Sequence, residues 1–162
     1  RTPIREAFQR LATEGFIKTL PNRKAVVRSL SISDICNFLH LRAVLEGLAA
    51  RLATTNLDNY DIKKLELYIK KMEKASEKKE VSLFVKEYSH FQEIILIKSK
   101  NELLRQIRNN LSELSRFYSI KSLQVEGRFQ EAIEEFKEIL FALKEGVVRF
   151  QGKKVHVDCA EA

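Results

Sequence analysis

Arg1-Thr2-Pro3-Ile4-Arg5-Glu6-Ala7-Phe8-Gln9-Arg10-Leu11-Ala12-Thr13-Glu14-Gly15-Phe16-Ile17 opens the chain. Its apolar side chains Ile4, Ala7, Phe8, Leu11 and Ala12 recur at the three- and four-residue intervals of one helix face, with charged residues opposite. A short amphipathic helix is therefore expected over residues 2–14. Beyond Gly15, Phe16-Ile17-Lys18-Thr19-Leu20 and Ala25-Val26-Val27 read as two strands around the turn Pro21-Asn22-Arg23-Lys24. A helix followed by a hairpin is the second half of a winged helix.

The charge of the chain is unevenly spread. Its net charge is +7, yet residues 1–30 hold seven Lys or Arg against two Glu, a net +5, which leaves +2 for the other 132 residues. A basic N-terminal segment is the footprint of a phosphate-backbone binder, because Lys and Arg displace condensed counterions. A solvated basic tail has the same composition, so charge alone does not separate the two.

From Ser31 onward the pattern is helical almost to the end. Ser31-Ile32-Ser33-Asp34 has capping-box spacing. Helices are expected over about 33–53 (Ile35, Phe38, Leu39, Leu45, Leu48, Ala49 and Leu52 on one face), 59–75 (Ile62, Leu65, Ile69, Met72) and 81–98 (Phe84, Tyr88, Phe91, Ile95). Another starts near Asn101 with Leu103, Leu104, Ile107, Leu111 and Leu114, and one more covers about 129–145 with Phe129, Ile133, Phe136, Ile139, Leu140 and Leu143 inward. The third and fourth are expected in the core. After Gly146, Val147-Val148 and Gly152 weaken any helical assignment. The expected fold is mainly α: a partial winged helix of one helix plus hairpin over residues 1–30, then an antiparallel bundle of about six helices over 31–162.

No apolar run approaches the roughly 18 residues of a membrane span and nothing resembles a signal peptide, so a cytoplasmic location is expected. Cys36 and Cys159 stand far apart without a CxxC, and read as reduced thiols rather than a zinc knuckle. Enzyme classes find no support: paired carboxylates at defined spacing, a Ser/His/Asp order and a phosphate loop are all missing from the sequence.

The first 17 residues resemble the pattern S-R-T-P-[VI]-R-E-A-L-x-x-L-x-x-E-G-[LF]-[VI] of the recognition helix and first wing strand of GntR-superfamily transcriptional regulators. Arg42-Ala43-Val44-Leu45-Glu46-Gly47-Leu48-Ala49 is similar to the R-x-x-L-E-x-x-A signature that opens the helical sensor domain, called FCD, of the FadR subfamily. The resemblance implies a dimeric DNA-binding regulator whose helical domain takes a small-molecule effector, an organic or fatty acid derivative, that controls binding to operator DNA. It also implies that the chain begins inside the recognition helix, without the two helices that orient it, so that residues 1–162 alone should bind no operator specifically.

For DNA contact the resemblance points to Arg1, Thr2, Arg5 and Glu6 on the helix and Arg23 and Lys24 in the wing. Arginine at a helix start suits phosphate contacts and bidentate reading of guanine. Lys24 stands where relatives often carry a glycine that enters the minor groove. In the sensor domain, many relatives hold a divalent metal through D-x-x-x-H and two later histidines. Aligned on that pattern, this chain has Tyr88, Gln92 and Phe136 at three ligand positions and Asp158 at the fourth, while His90 and His156 lie two residues out of register, a turn of roughly 200° on a helix. No metal or other cofactor is therefore expected. An effector would be met instead by Arg42, Tyr88, Gln92 and Phe136. Arg42 lies on the apolar face of its helix, where a guanidinium needs an anionic effector or an internal glutamate to pair with. The alternative function is a ligand-independent helical module that serves only to dimerise the DNA readers.

Overall fold

The computed structural model describes residues 2–13, 15–19, 25–27 and 31–146. In chain order the elements are α1 (Thr2–Thr13), β1 (Ile17–Thr19), β2 (Ala25–Val27), α2 (Ile32–Ala53), α3 (Asn59–Glu77), α4 (Val81–Lys98), α5 (Glu102–Asn110), α6 (Ser112–Ser122) and α7 (Arg128–Lys144). One helix and a hairpin thus precede six further helices, the mainly α architecture expected. The residues after Gly146, together with Arg1, Arg23, Lys24, His156, Asp158 and Cys159, lie outside the described residues.

Pro3 sits in the first turn of α1, where its missing N–H removes no helical bond. Gly15 stops that helix at φ +83°, a left-handed conformation that favours glycine. The Phe16 amide then donates to Leu11 O at 2.9 Å and turns the chain into β1. The two strands pair antiparallel in the register Ile17↔Val27, Lys18↔Val26 and Thr19↔Ala25.

At the start of α2 the Ser31 hydroxyl oxygen accepts from the Asp34 amide while the Asp34 carboxylate accepts from the Ser31 amide, the expected reciprocal cap. Asp58 and Asp61 repeat the device on α3. Two inward stripes then meet at the centre of the bundle. Phe84, Val85, Tyr88, Phe91 and Ile95 of α4 are buried with Leu65, Ile69 and Met72 of α3 and Ile133, Phe136, Leu140 and Leu143 of α7. Ala49, Ala50 and Ala53 bring α2 onto this core with small side chains, which permit close helix approach.

Three sequence expectations need correction. The helix foreseen from Asn101 is two helices, divided at Leu111, whose amide donates to Arg108 O three residues back. Asn109, Asn110 and Ser112 are weak helix formers at that point. Of its expected core stripe, Leu104 is buried, but Leu103 and Ile107 are exposed. Cys36 is not a free thiol, contrary to its reading as reduced.

Candidate functional site

Arg42 and Glu46 stand one turn apart on α2, and the Arg42 Nε donates to Glu46 Oε1 at 2.8 Å. The sequence left open an anionic effector or an internal glutamate for Arg42; the glutamate is on its own helix. Glu46 is also the meeting point of two other elements. The Tyr88 hydroxyl of α4 donates to the same oxygen at 3.1 Å, and Arg108 Nη2 of α5 approaches it at 3.5 Å. Arg108 Nη2 also lies 3.4 Å from the Tyr88 oxygen, and the Arg42 guanidinium lies over the Tyr88 ring at 5.2 Å from its centroid.

Two guanidinium groups therefore share one carboxylate, leaving the cluster with a net positive charge. Burial pushes the Tyr88 phenol up to about 12, with the charge of Glu46 adding to the rise and the two guanidinium groups opposing it, so Tyr88 is a neutral donor at ordinary pH. For Arg42, burial favours loss of the proton, but the charge of Glu46 and its hydrogen bond outweigh that and hold the guanidinium firmly protonated.

The outer side of the cluster opens into a cavity of about 90 Å³ between α4, α5 and α6. Tyr88, Gln92 and Glu93 line it from α4, Arg108 from α5, and Ser115 and Arg116 from α6. Of the effector residues expected from sequence, Tyr88 and Gln92 reach this cavity. Arg42 lies behind it against Glu46 and Tyr88, and Phe136 belongs to the core, in ring contact with Tyr88 and Phe91 at 5.3 and 5.2 Å. Arg108 and Ser115 were missed. The signal was present for Arg108, which lies four residues after Leu104 and three before Leu111 on the inward stripe, the same placement that drew attention to Arg42.

The donor set does not fit the divalent metal of related sensor domains. At the positions to which the resemblance assigns its ligands stand a phenol, an amide and a phenyl ring, and among the described residues no group of three His, Cys, Asp or Glu side chains is placed to hold a cation. His90, half exposed, instead packs on the Tyr68 ring and lies 3.4 Å from Glu87.

In the N-terminal segment, Thr2, Arg5 and Glu6 are exposed on α1. So is the apolar face of that helix: Ile4 is 63% exposed, Phe8 47% and Leu11 39%. Among the described residues, α6 packs against the turn that follows this helix. Phe117 meets Phe16 edge-on at 6.2 Å, Leu114 is the side chain nearest the Cα substituent position of Gly15, and Tyr118 packs on Phe38 of α2 at 4.9 Å.

Residues 37–148 match the FCD domain. The chain is 33% identical over 118 residues to the Nta operon transcriptional regulator of Aminobacter aminovorans, which covers 72% of this chain and 55% of that protein. It is 26% identical over 145 residues to the HTH-type transcriptional regulator YdhC of Bacillus subtilis, 89% of this chain and 65% of that one. The chain thus spans roughly three fifths of the length of these relatives. Among solved structures, McbR/YncC of E. coli superposes with a TM-score of 0.73 at 24% identity, over 91% of this chain and 74% of that chain, a likeness of fold. Among the described residues no helix is long and apolar enough to cross a membrane.

Proposed function

Because the chain belongs to the FCD-domain family of GntR-type transcriptional regulators, we propose that it is the effector-sensing part of a dimeric, cytoplasmic DNA-binding regulator, with residues 1–30 contributing to the DNA reader and 31–162 forming the sensor. The observation that carries this reading is the positively charged cluster of Arg42, Arg108, Tyr88 and Glu46 at the back of a cavity lined by Tyr88 and Gln92. Burying two guanidinium groups against one carboxylate is costly unless a further anion completes the pairing, and an organic-acid effector supplies one. The cavity, at about 90 Å³, is compact and suits a small acid rather than a long acyl chain.

Thr2, Arg5 and Glu6, exposed on α1, would face DNA together with Arg1, Arg23 and Lys24. The effector would act through α6. That helix carries Ser115 and Arg116 at the cavity and Leu114 and Phe117 against the turn between α1 and β1. A displacement of α6 on ligand entry therefore moves the DNA-reading helix, and in a dimer it changes the spacing of two such helices on a pseudo-palindromic operator.

Native mass spectrometry of the purified chain, with metal analysis of the same sample, tests the reading. A dimer carrying a small organic molecule and no metal is expected. One metal per chain would overturn the metal-free site, and an empty dimer that no organic acid occupies would favour the ligand-independent dimerisation module.

A further inference from the structure

Two side chains at the cavity each carry a buried polar atom that the contacts described above leave unengaged. Arg108 is 7% exposed and Ser115 2%, and both line the cavity. Among the described residues, Arg108 Nε and Ser115 Oγ are buried atoms without a hydrogen-bond partner. Native proteins rarely leave such donors idle, because each forfeits the water it gave up on folding, about 1–3 kcal/mol for an ordinary group and more for a charged one. The rest of the Arg108 guanidinium is only loosely engaged: its Nη2 contacts with Glu46 and Tyr88 are 3.5 and 3.4 Å long. A guanidinium and a hydroxyl converging on one cavity, with the Gln92 amide on its wall and Arg116 as a second cation, form a donor set for oxygen atoms that carry negative charge. Glu93 is the opposing charge in the lining. It leaves the two arginines in excess, and the Arg42–Glu46 pair behind them is itself neutral.

We infer that this cavity is a compact oxyanion site in which Arg108 and Ser115, from the two sides of the break at Leu111, grip one carboxylate, phosphate or sulfate group directly, without a metal. The inference rests on the sensor reading above and moves its anchor from Arg42 to Arg108. The break between α5 and α6 has a role in this arrangement. Arg108 stands three residues before Leu111 and Ser115 four residues after it, so the two donors come from two separate short helices. The anion would then tie α5 to α6 across the break, at the helix that also touches Phe16.

The test is isothermal titration of the purified chain with inorganic phosphate, inorganic sulfate and acetate, each at an ionic strength held constant with chloride. The variants are Arg108→Gln, Arg108→Lys, Ser115→Ala and, as a remote control, Lys79→Ala. Saturable binding of at least one anion, one per chain, is expected. Arg108→Gln should weaken it by about 10–100-fold and Ser115→Ala by about 3–10-fold, with Arg108→Lys between wild type and Arg108→Gln and Lys79→Ala unchanged. The anion bound most tightly identifies the source, tetrahedral or carboxylate. Circular dichroism of each variant separates loss of binding from loss of fold, and the retained charge of Arg108→Lys gives a second readout if Arg108→Gln unfolds. Absence of saturation by all three anions, or binding that survives both Arg108→Gln and Ser115→Ala in folded protein, would overturn the site. Operator binding by a chain that includes the complete DNA reader distinguishes the two readings. Anion binding at Arg108 with no change in operator affinity sinks the sensor role and leaves the site. Operator control by an organic acid that is indifferent to Arg108→Gln sinks the site and leaves the sensor.

Discussion

Replacing Glu46 by glutamine should destabilise the protein by about 2–3 kcal/mol, although the side chain keeps its shape and an oxygen acceptor. The Arg42 Nε bond at 2.8 Å changes from charge-assisted to neutral, and hydrogen bonds to charged groups are worth about 1.5–3 kcal/mol against about 1 for neutral ones. The Arg108 approach at 3.5 Å loses its Coulomb attraction as well, and two guanidinium groups are left near one another without an anion. Removing one partner of a fully buried pair costs about 3–5 kcal/mol. The loss here is smaller because the side chains of Arg42 and Glu46 are each 20% exposed, so solvent takes up part of the unbalanced charge. Urea unfolding followed by circular dichroism at the helical band measures the difference, with an unchanged m-value as the check that only stability has moved. For a chain of this size the shift corresponds to a melting temperature lower by about 4–12 °C. Added phosphate should recover more stability in Glu46→Gln than in wild type, because the variant site carries one more net positive charge. A loss below about 0.5 kcal/mol would refute the view that Glu46 is the shared anion of both arginines.

Other expectations concern titration, backbone strain and coupling. The phenol of Tyr88, raised from 10 to about 12 by burial first, binds its proton more tightly folded than unfolded. Its contribution to stability is therefore fully present below pH 10 and lost as pH rises through 12, by at most about 2–3 kcal/mol, and Tyr88→Phe should flatten that alkaline slope in pH-dependent urea melts. Lys79 closes α3 at φ +54°, where its Cβ is strained and glycine is not, so Lys79→Gly should raise stability by about 0.5–1 kcal/mol in the same melts; a loss would show that the side chain has a packing role. In a protein with a complete DNA reader, Phe117→Ala should leave ligand affinity at the cavity unchanged while reducing the ligand's effect on operator affinity by about 2–10-fold, the worth of one edge-to-face aromatic pair. Equal operator response in gel-shift titrations of variant and wild type would place the coupling elsewhere.

Much of this architecture is written locally. The helices α2, α3, α4 and α7 follow from apolar spacing alone to within two residues at each end, because an amphipathic stripe is a property of neighbours three and four apart. The cap at Ser31 is equally local, since both of its partners lie within one turn. The positions of Tyr88 and Gln92 on an inward face were legible for the same reason. What periodicity conveys is that a side chain points inward, and it is silent on which inward side chains meet.

Glu46 finds Tyr88 at 42 positions' separation and Arg108 at 62, and only the packing of α2, α4 and α5 makes one carboxylate their common partner. That is why Arg42, singled out from sequence as a charge on an apolar face, has its partner on its own helix and lies behind the cavity, while Arg108, with the same local signature, lines it. The exposed stripe of Ile4, Phe8 and Leu11 shows the converse: spacing defined the amphipathic helix, yet nothing in it told whether that face would be covered. Sequence by itself determined the elements, their faces and the family, since these are sums of short-range preferences. Tertiary structure alone decided the shared carboxylate and the cavity at which the two idle donors meet, because each depends on where chain segments far apart in sequence come to rest.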